Sequence, residues 1–186
     1  MNSDIFHLIH LLAGQSKFMD SVIVFSAKYL IFALFVTLGI LGIRLIIKHR
    51  WAMIVYTGMN LVFTFAIARV FVYLYESNRP FVDNAFTPLI KHAADQSFPS
   101  DHAVAAFAVA LSILVFMRHK LIGSIAIIVA FIIGIARVAA GVHYPLDIAG
   151  SLVAAVIATG VVMIIRNGMK PSKQSVKFKR PDRSAS

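Results

Sequence analysis

Long apolar runs, separated by three short polar segments, constrain the fold of this chain more than any other feature. Hydrophobic residues make up 59% of the 186 residues and charged residues only 14%, and the mean hydropathy is +0.82. A soluble domain of this size could not bury so much apolar surface. Several runs also exceed the ~18 apolar residues that indicate a membrane-spanning helix. The sequence therefore predicts an all-α fold, a polytopic membrane helix bundle.

The hydropathy pattern predicts about five spanning helices. They cover roughly residues 22–47, 52–75, 101–117, 121–140 and 146–165. Residues 3–20 carry apolar side chains at helical spacing but are too short to span, so they predict a short N-terminal interfacial helix. The polar stretch 76–100 is long for an irregular loop and is expected to contain a short helix. We expect residues 1–166 to form the membrane domain and residues 167–186 a basic, disordered tail.

The net charge of +10 is unevenly distributed along the chain. Lys and Arg cluster at residues 44–50 and 118–120 and again from residue 166 onward. The positive-inside rule places these three regions in the cytoplasm, and the N-terminus and the polar segments on the extracytoplasmic side. The same rule explains the basic pI without a nucleic-acid partner. The absence of cysteine excludes disulfides, zinc–thiolate sites and thiol nucleophiles.

The three polar segments carry side chains that are suited to phosphate chemistry. They are Asn78-Arg79-Pro80, then Pro99-Ser100-Asp101-His102, then Arg137 followed by His143 and Asp147. An arginine offers a planar fork of donors to phosphate oxygens. A histidine can attack phosphorus or deliver a proton. Because each segment borders an apolar run on the same predicted side, we expect one site at one membrane surface.

The spacing within two of these segments favours particular roles. Ser100 is a favourable N-cap for a helix beginning at Asp101, and free backbone N–H groups at a helix start bind phosphate. An ordinary interfacial cap is the alternative, but His102 in the first turn of a span favours function. Asp147 lies four residues after His143, so its carboxylate can accept the Nδ1–H and leave Nε2 free to attack.

Three arginines have simpler explanations as well. Arg79 and Arg137 lie near span ends and could anchor the helices at the interface. Arg69 lies inside the second predicted span. It either extends its guanidinium to the interface or faces the bundle and the phosphate, and the sequence favours neither.

A metal site is the competing chemistry. The residues that could bind a divalent ion are His102, His143, Asp147, Asp101 and Asp95. No His-Glu-x-x-His pattern occurs, and the neighbouring arginines disfavour a cation. We therefore expect neither a metal nor another cofactor.

These residues together resemble the type-2 phosphatidic acid phosphatase superfamily of membrane lipid phosphatases. The pattern of that family is Lys, six residues, Arg-Pro; then Pro-Ser-Gly-His; then Ser-Arg, five residues, His, three residues, Asp. The chain matches it at Arg79-Pro80, Pro99-Ser100, His102, Arg137, His143 and Asp147.

Three positions depart from the family pattern. The lysine of the first motif falls on Val72, the glycine of the second is Asp101, and the serine of the third is Ala136. Arg69 lies one turn from Val72 on the same helical face and could replace the lysine. The run of residues 92–102 is similar to the bacitracin-resistance branch of the family, whose members are undecaprenyl pyrophosphate phosphatases.

The resemblance implies a multi-pass enzyme of the bacterial cell membrane. It would recycle the cell-wall lipid carrier by hydrolysing undecaprenyl pyrophosphate to undecaprenyl phosphate, which underlies bacitracin resistance. It implies that His143 is the nucleophile and forms a phosphohistidine, that Asp147 orients its ring, and that His102 protonates the leaving oxygen. The remaining substrate contacts would come from Arg79, Arg137, Ser100 and the backbone at Asp101. Arg69 would join them if it replaces the missing lysine.

Two other functions remain open from the sequence. The same site could act on phosphatidylglycerol phosphate, phosphatidic acid or diacylglycerol pyrophosphate. A protein of another class, which binds lipid or an antibiotic without catalysis, would explain the spans but not two histidines at matching spacings. The expected partners are a polyprenyl or phospholipid phosphate and the membrane lipid, and no nucleic acid.

Overall fold

The computed structural model describes residues 2–169, and within that range the chain is entirely helical, without strands. The elements, in chain order, are α1 (Asn2–His10), α2 (Lys17–Lys28), α3 (Leu30–Ile47), α4 (Trp51–Leu74), α5 (Pro80–Asp83), α6 (Asp101–Leu111), a π-helical turn (Ser112–Phe116), α7 (Lys120–Ala139) and α8 (Pro145–Gly168). The predicted polytopic helix bundle is confirmed. The basic tail predicted for residues 167–186 lies almost wholly outside the described residues.

Four helical stretches are long and apolar enough to cross a membrane. They are α4, α7, α8 and the 31-residue stretch Lys17–Ile47, in which α2 and α3 follow each other with a break at Tyr29 alone. The helix Asp101–Phe116 is apolar but shorter. Large apolar side chains on the outside of the long helices are exposed, as a lipid-facing surface requires, among them Ile43, Val62 and Ile128.

Helix α6 is the centre of the bundle. Every residue from Ala103 to Ala110 is buried, and the helix packs against α3, α4, α7 and α8. Its alanines allow neighbouring backbones to approach closely, as is usual where membrane helices pack. Helix α6, whose first turn carries Asp101 and His102, is therefore packed against four other helices.

A buried polar cluster links three of these helices deep in the bundle. The Asn60 amide on α4 donates to the Ala108 carbonyl on α6 over 3.3 Å and to Ser112 Oγ, at the start of the π-helical turn, over 3.0 Å. Thr159 Oγ1 on α8 donates to Asn60 Oδ1 over 3.1 Å. All three side chains are buried. Because polar groups inside an apolar bundle pair with one another, this cluster fixes how α4, α6 and α8 lie side by side.

The N-terminal region differs from its prediction as one helix over residues 3–20. Helix α1 ends at His10, and α2 begins at Lys17. Gly14 between them has a φ of +78°, which favours glycine. Ser16 then caps α2 by accepting a hydrogen bond from the Met19 amide over 3.1 Å. A glycine and an N-cap serine therefore separate two helices, although the apolar spacing alone predicts one continuous helix.

The bundle has two chemically different ends. The start of α4, the π-helical turn and the end of α8 meet at one of them, where Arg118 and Arg166 line a common cavity. The opposite end holds residues 75–100, which include the short helix α5 as predicted, and the loop between α7 and α8. Gly150 allows the segment 75–100 to pack closely on α8, because a Cβ at this position would lie 2.2 Å from the Phe98 ring. The predicted site residues lie at this second end.

Candidate active site

One cavity at this end gathers most of the predicted site residues. Its volume is about 440 Å³. The predicted residues that line it are Arg69, Arg79, Asp101, His102, Arg137 and His143. Ser100 and Asp147 are fully buried beside it. Side chains that lie up to 74 residues apart in sequence, from Arg69 to His143, therefore meet at one place.

His143 lies in the loop between α7 and α8, with 2% of its surface exposed. Its Nδ1 is 3.3 Å from Asp147 Oδ2. Its Nε2 is 3.3 Å from Arg79 Nη1 and 3.2 Å from Arg137 Nη2. Because a guanidinium can only donate, Nε2 is the accepting nitrogen and the ring proton lies on Nδ1. The lone pair of Nε2 therefore lies between two arginines at the cavity.

The surroundings of His143 keep its ring neutral. Burial lowers the pKa of His143 to about 4, and the charge of Arg137 acts in the same direction. The hydrogen bond with Asp147 acts in the opposite sense but does not outweigh the burial. At neutral pH the imidazole is thus uncharged, which is the form that can act as a nucleophile.

Asp147 is held by the start of α8. Pro145 occupies the first turn, where its missing N–H costs nothing and its fixed φ suits a helix. The Tyr144 amide donates to Asp147 Oδ2 over 2.8 Å. The same carboxylate oxygen accepts from Ser97 Oγ and faces His143 Nδ1. A helix start therefore fixes the carboxylate that orients the imidazole.

Ser97 is a member of the site that the sequence analysis did not single out. It is fully buried, donates to Asp147, and places its Oγ 3.3 Å from His143 Nδ1. The Ser97 amide donates to the Ser77 carbonyl over 2.8 Å, which fixes the residue in the long segment. A serine in a polar loop resembles an ordinary turn residue, so the sequence carried no local signal for this contact.

Arg79 is fixed by contacts on every side of its guanidinium. Its Nε donates to Asp95 Oδ1 over 2.8 Å, its Nη1 to the Val142 carbonyl over 3.0 Å, and its Nη2 to the Gln96 carbonyl over 3.1 Å. Burial alone would raise the pKa of Asp95, but the hydrogen bond and charge of Arg79 lower it below the usual range. Asp95, which the sequence offered as a metal ligand, contacts an arginine here.

Three buried polar atoms at or beside the cavity have no hydrogen-bond partner among residues 2–169: the donors Arg137 Nε and Ser100 Oγ, and the acceptor Asp147 Oδ1. Arg137 lies in the last turn of α7 and is 2% exposed. Ser100 occupies the N-cap position of α6, but its side chain does not make the capping hydrogen bond that its sequence suggests. Unpaired buried donors are costly, and an anionic oxygen in the cavity would pair with them.

His102 and an ion pair between Arg69 and Asp101 also line the cavity. His102 lies in the first turn of α6 and is half-buried. Arg69 on α4 forms an ion pair with Asp101, and both side chains are more than half exposed. Of the two orientations that the sequence left open for Arg69, the structure has the one in which it lines the cavity.

His92 also lines the cavity, although the sequence analysis gave it no role. Its ring meets the His143 ring edge-on, with 6.2 Å between the centroids. Burial, followed by the charge of Arg79, lowers the pKa of His92. The long segment 75–100 thus supplies three side chains, those of His92, Asp95 and Ser97, that surround the paired His143 and Arg79.

Comparison with known proteins identifies the family of this chain. Residues 53–171 match the model of the PAP2 superfamily. The chain belongs to the PAP2 superfamily. It is 36% identical to the undecaprenyl-diphosphatase BcrC of Bacillus subtilis over 160 residues, which are 84% of this chain and 80% of that protein. It is 31% identical to the bacitracin transport permease protein BcrC of Bacillus licheniformis, over 85% of this chain and 77% of that protein.

The fold of this PAP2 protein is also similar to a solved structure. The crystal structure of Aquifex aeolicus LpxE superimposes with a TM-score of 0.66, covering 88% of this chain and 94% of that chain. The sequence identity is 22%, so the similarity concerns the fold.

Proposed function

We propose that this protein is a membrane phosphatase that hydrolyses undecaprenyl pyrophosphate to undecaprenyl phosphate. One observation carries the proposal: the neutral Nε2 of His143 lies between two arginines, while Nδ1 faces a buried carboxylate. This is an activated nucleophile placed inside a phosphate-binding cluster. The name of the Bacillus subtilis relative, undecaprenyl-diphosphatase, supports the choice of lipid.

The first step transfers the terminal phosphoryl group to the enzyme. His143 Nε2 attacks the terminal phosphorus and forms an N–P bond, while the bond from that phosphorus to the bridging oxygen breaks. His102 gives its proton to the bridging oxygen, so undecaprenyl phosphate leaves. Arg79, Arg137, Ser100 and the backbone at Asp101 hold the three equatorial oxygens, where the transition-state charge accumulates.

The second step releases inorganic phosphate. Water attacks the phosphohistidine, His102 takes the proton of that water, and the N–P bond breaks with its electron pair returning to Nε2. Asp147 stabilises the positive charge that the imidazole carries while it is phosphorylated. Because cationic side chains supply the charge stabilisation, the reaction needs no cofactor or metal ion.

Phosphate release from purified protein tests this function. We expect undecaprenyl pyrophosphate to be hydrolysed in the presence of EDTA, faster than phosphatidylglycerol phosphate, phosphatidic acid or diacylglycerol pyrophosphate assayed in parallel. A preference for one of the other lipids would change the proposed substrate and leave the proposed phosphatase activity unchanged. Loss of activity in EDTA with recovery in magnesium would favour the metal site. Absence of phosphate release from every lipid would favour a binding protein.

We also propose that the catalytic end faces the extracytoplasmic side of the bacterial cell membrane. Support comes from the basic residues at the opposite end, which the positive-inside rule places in the cytoplasm. Thr87 is exposed at the catalytic end and Lys48 is exposed at the basic end. The sequence contains no cysteine, so a single cysteine introduced at either position would be the only thiol to react. In intact cells an impermeant thiol reagent should label Thr87→Cys and spare Lys48→Cys. The reverse pattern would invert the orientation.

A further inference from the structure

We propose that Arg69 forms a second phosphate subsite, which binds the lipid-linked phosphate of a diphosphate and makes the enzyme prefer diphosphates to monophosphates. The inference rests on the proposed function, because it assumes that His143 attacks the terminal phosphorus. It adds a role for one cation that the attack on the terminal phosphate does not use.

The position of Arg69 follows from two neighbouring cavities. Beside the catalytic cavity lies a second one of about 390 Å³, between α3, α4 and α6. Its remaining lining is apolar and consists of Ile31, Phe32, Phe35, Phe65 and Ala105. The residues common to both cavities are Arg69, Asp101 and His102. These three residues therefore form the junction between a polar cavity and an apolar one.

The arginines of the site divide into two groups by their contacts. Arg79 and Arg137 both contact His143 Nε2, so they surround the atom that attacks phosphorus. Arg69 instead contacts Asp101, beside His102, at the junction. A lipid diphosphate that places its terminal phosphorus at Nε2 and its hydrocarbon chain in the apolar cavity must pass its second phosphate through this junction.

Arg69 is available for such a contact. The ion pair with Asp101 is more than half exposed on both sides, which makes it weak. The hydrogen bond to Asp101 uses Nη2, and a guanidinium has five N–H donors, so others remain for a phosphate oxygen. Asp101 thus holds the guanidinium at the junction without consuming all of its donors.

The contact also has a chemical consequence that depends on the second phosphate. As the bridging bond breaks, negative charge develops on the bridging oxygen and spreads onto the lipid-linked phosphate. Arg69 would stabilise that charge at the moment when His102 protonates the leaving oxygen. A monophosphate binds Arg79 and Arg137 through its single phosphate and places no anion at the junction, so it gains nothing from Arg69.

The test compares two substrates with the same lipid chain, farnesyl diphosphate and farnesyl monophosphate. Arg69→Leu should lower kcat/KM for the diphosphate on the order of 10- to 100-fold, and for the monophosphate less than about threefold. Arg69→Lys should recover part of the loss, because an ammonium keeps the charge but not the fork of donors. Arg44→Leu is the matched control, since Arg44 is exposed at the opposite end of α3, and should match wild type on both substrates.

The monophosphate assay shows whether the variant is folded, so a general loss of structure is separated from loss of the subsite. Equal losses on both substrates would overturn the proposal and place Arg69 on the terminal phosphate. Wild-type rates on both substrates in Arg69→Leu would overturn it as well, leaving an ordinary surface ion pair. A wild-type protein that cleaves neither substrate would overturn the proposed function itself.

Discussion

The two ends of the bundle use the same positively charged side chains in different ways. At the catalytic end, Arg79 is tied to a carboxylate and two carbonyls, and Arg137 is almost fully buried. At the opposite end, Arg118 and Lys120 are exposed, and neither has an ion-pair partner among residues 2–169. Charge at the first end lies in particular contacts. Charge at the second end is spread over several exposed cations, whose combined charge we propose orients the protein in the membrane.

The two ends should therefore respond differently to a single substitution. Replacing a guanidinium whose donors are each matched to an acceptor should lower activity. The protein acceptors and the substrate phosphate both lose their hydrogen-bond donor. A cation that contributes to membrane orientation is one of several in the same region, and the others keep the bias when it is removed. The predictions below compare matched substitutions at the two ends.

The largest effect is expected for His143→Ala. Loss of the nucleophile should lower phosphate release by more than about 10³-fold, as removal of the nucleophile does in other covalent mechanisms. His119→Ala, a substitution of an exposed histidine at the basic end, should keep wild-type activity. Acid-labile phosphate trapped on the wild type should be absent from His143→Ala. Residual activity above a few per cent would remove His143 as the nucleophile.

The next largest effect is expected for Arg137→Gln. This change removes a buried guanidinium that contacts His143 Nε2 over 3.2 Å and whose buried Nε has no hydrogen-bond partner among the described residues. Removing one preorganised donor to a transition-state anion typically costs on the order of 10²-fold in kcat. Initial rates on undecaprenyl pyrophosphate measure the loss, and an unchanged thermal unfolding midpoint would show that the bundle is intact. A loss below fivefold would mean that Arg137 only supports the fold.

A smaller effect is expected for Ser97→Ala. The change deletes the hydroxyl that donates to Asp147 and lies beside His143 Nδ1. A hydrogen bond to a charged group contributes about 1.5–3 kcal/mol, so turnover should fall by roughly 10-fold or more. Ser77→Ala is the control, since that hydroxyl contacts only the neighbouring Asn78 carbonyl in the hydrogen bonds of the described residues. If both variants behave alike, Ser97 does not hold the Asp147–His143 pair.

The acid limb of the pH profile should lie at a lower pH than an ordinary histidine would give. Burial lowers the pKa of His143 to about 4, so the nucleophilic neutral form persists as the pH falls below 6.5 and is half lost only near pH 4. The acid limb of kcat/KM, corrected for ionisation of the substrate, should therefore have its midpoint near 4. A midpoint near 6.5 would show that the imidazole is solvated in the working enzyme.

The catalytic end could be predicted from sequence where its contacts are local. His143 and Asp147 lie four residues apart across the start of α8, so their pairing follows from closeness in the chain and from residue type. Ser97 reaches the same pair from 46 and 50 residues away, and only the folded chain shows the contact. Arg79 and Asp95 are 16 residues apart, across a loop whose path no periodicity fixes.

The helices show the same limit. Hydropathy predicts spans because each spanning helix must be apolar along its own sequence. It located four long helices and one shorter apolar helix. The end of α1 depends instead on a single glycine and a capping serine, and the π-helical turn at Ser112 lies where Asn60 from another helix makes its contact. Such features depend on one residue or one neighbour, which a pattern averaged over many residues does not detect.

The smallest effect is expected for Arg118→Gln, the counterpart of Arg137→Gln at the basic end. Arg118 is exposed and lines two cavities at that end, neither of which includes a residue of the catalytic cavity. Its charge is one of several there, so kcat/KM on undecaprenyl pyrophosphate should stay within about twofold of wild type. Thiol labelling at Thr87→Cys should also remain unchanged. A loss comparable with that of Arg137→Gln would show that the basic end takes part in turnover through a contact of its own.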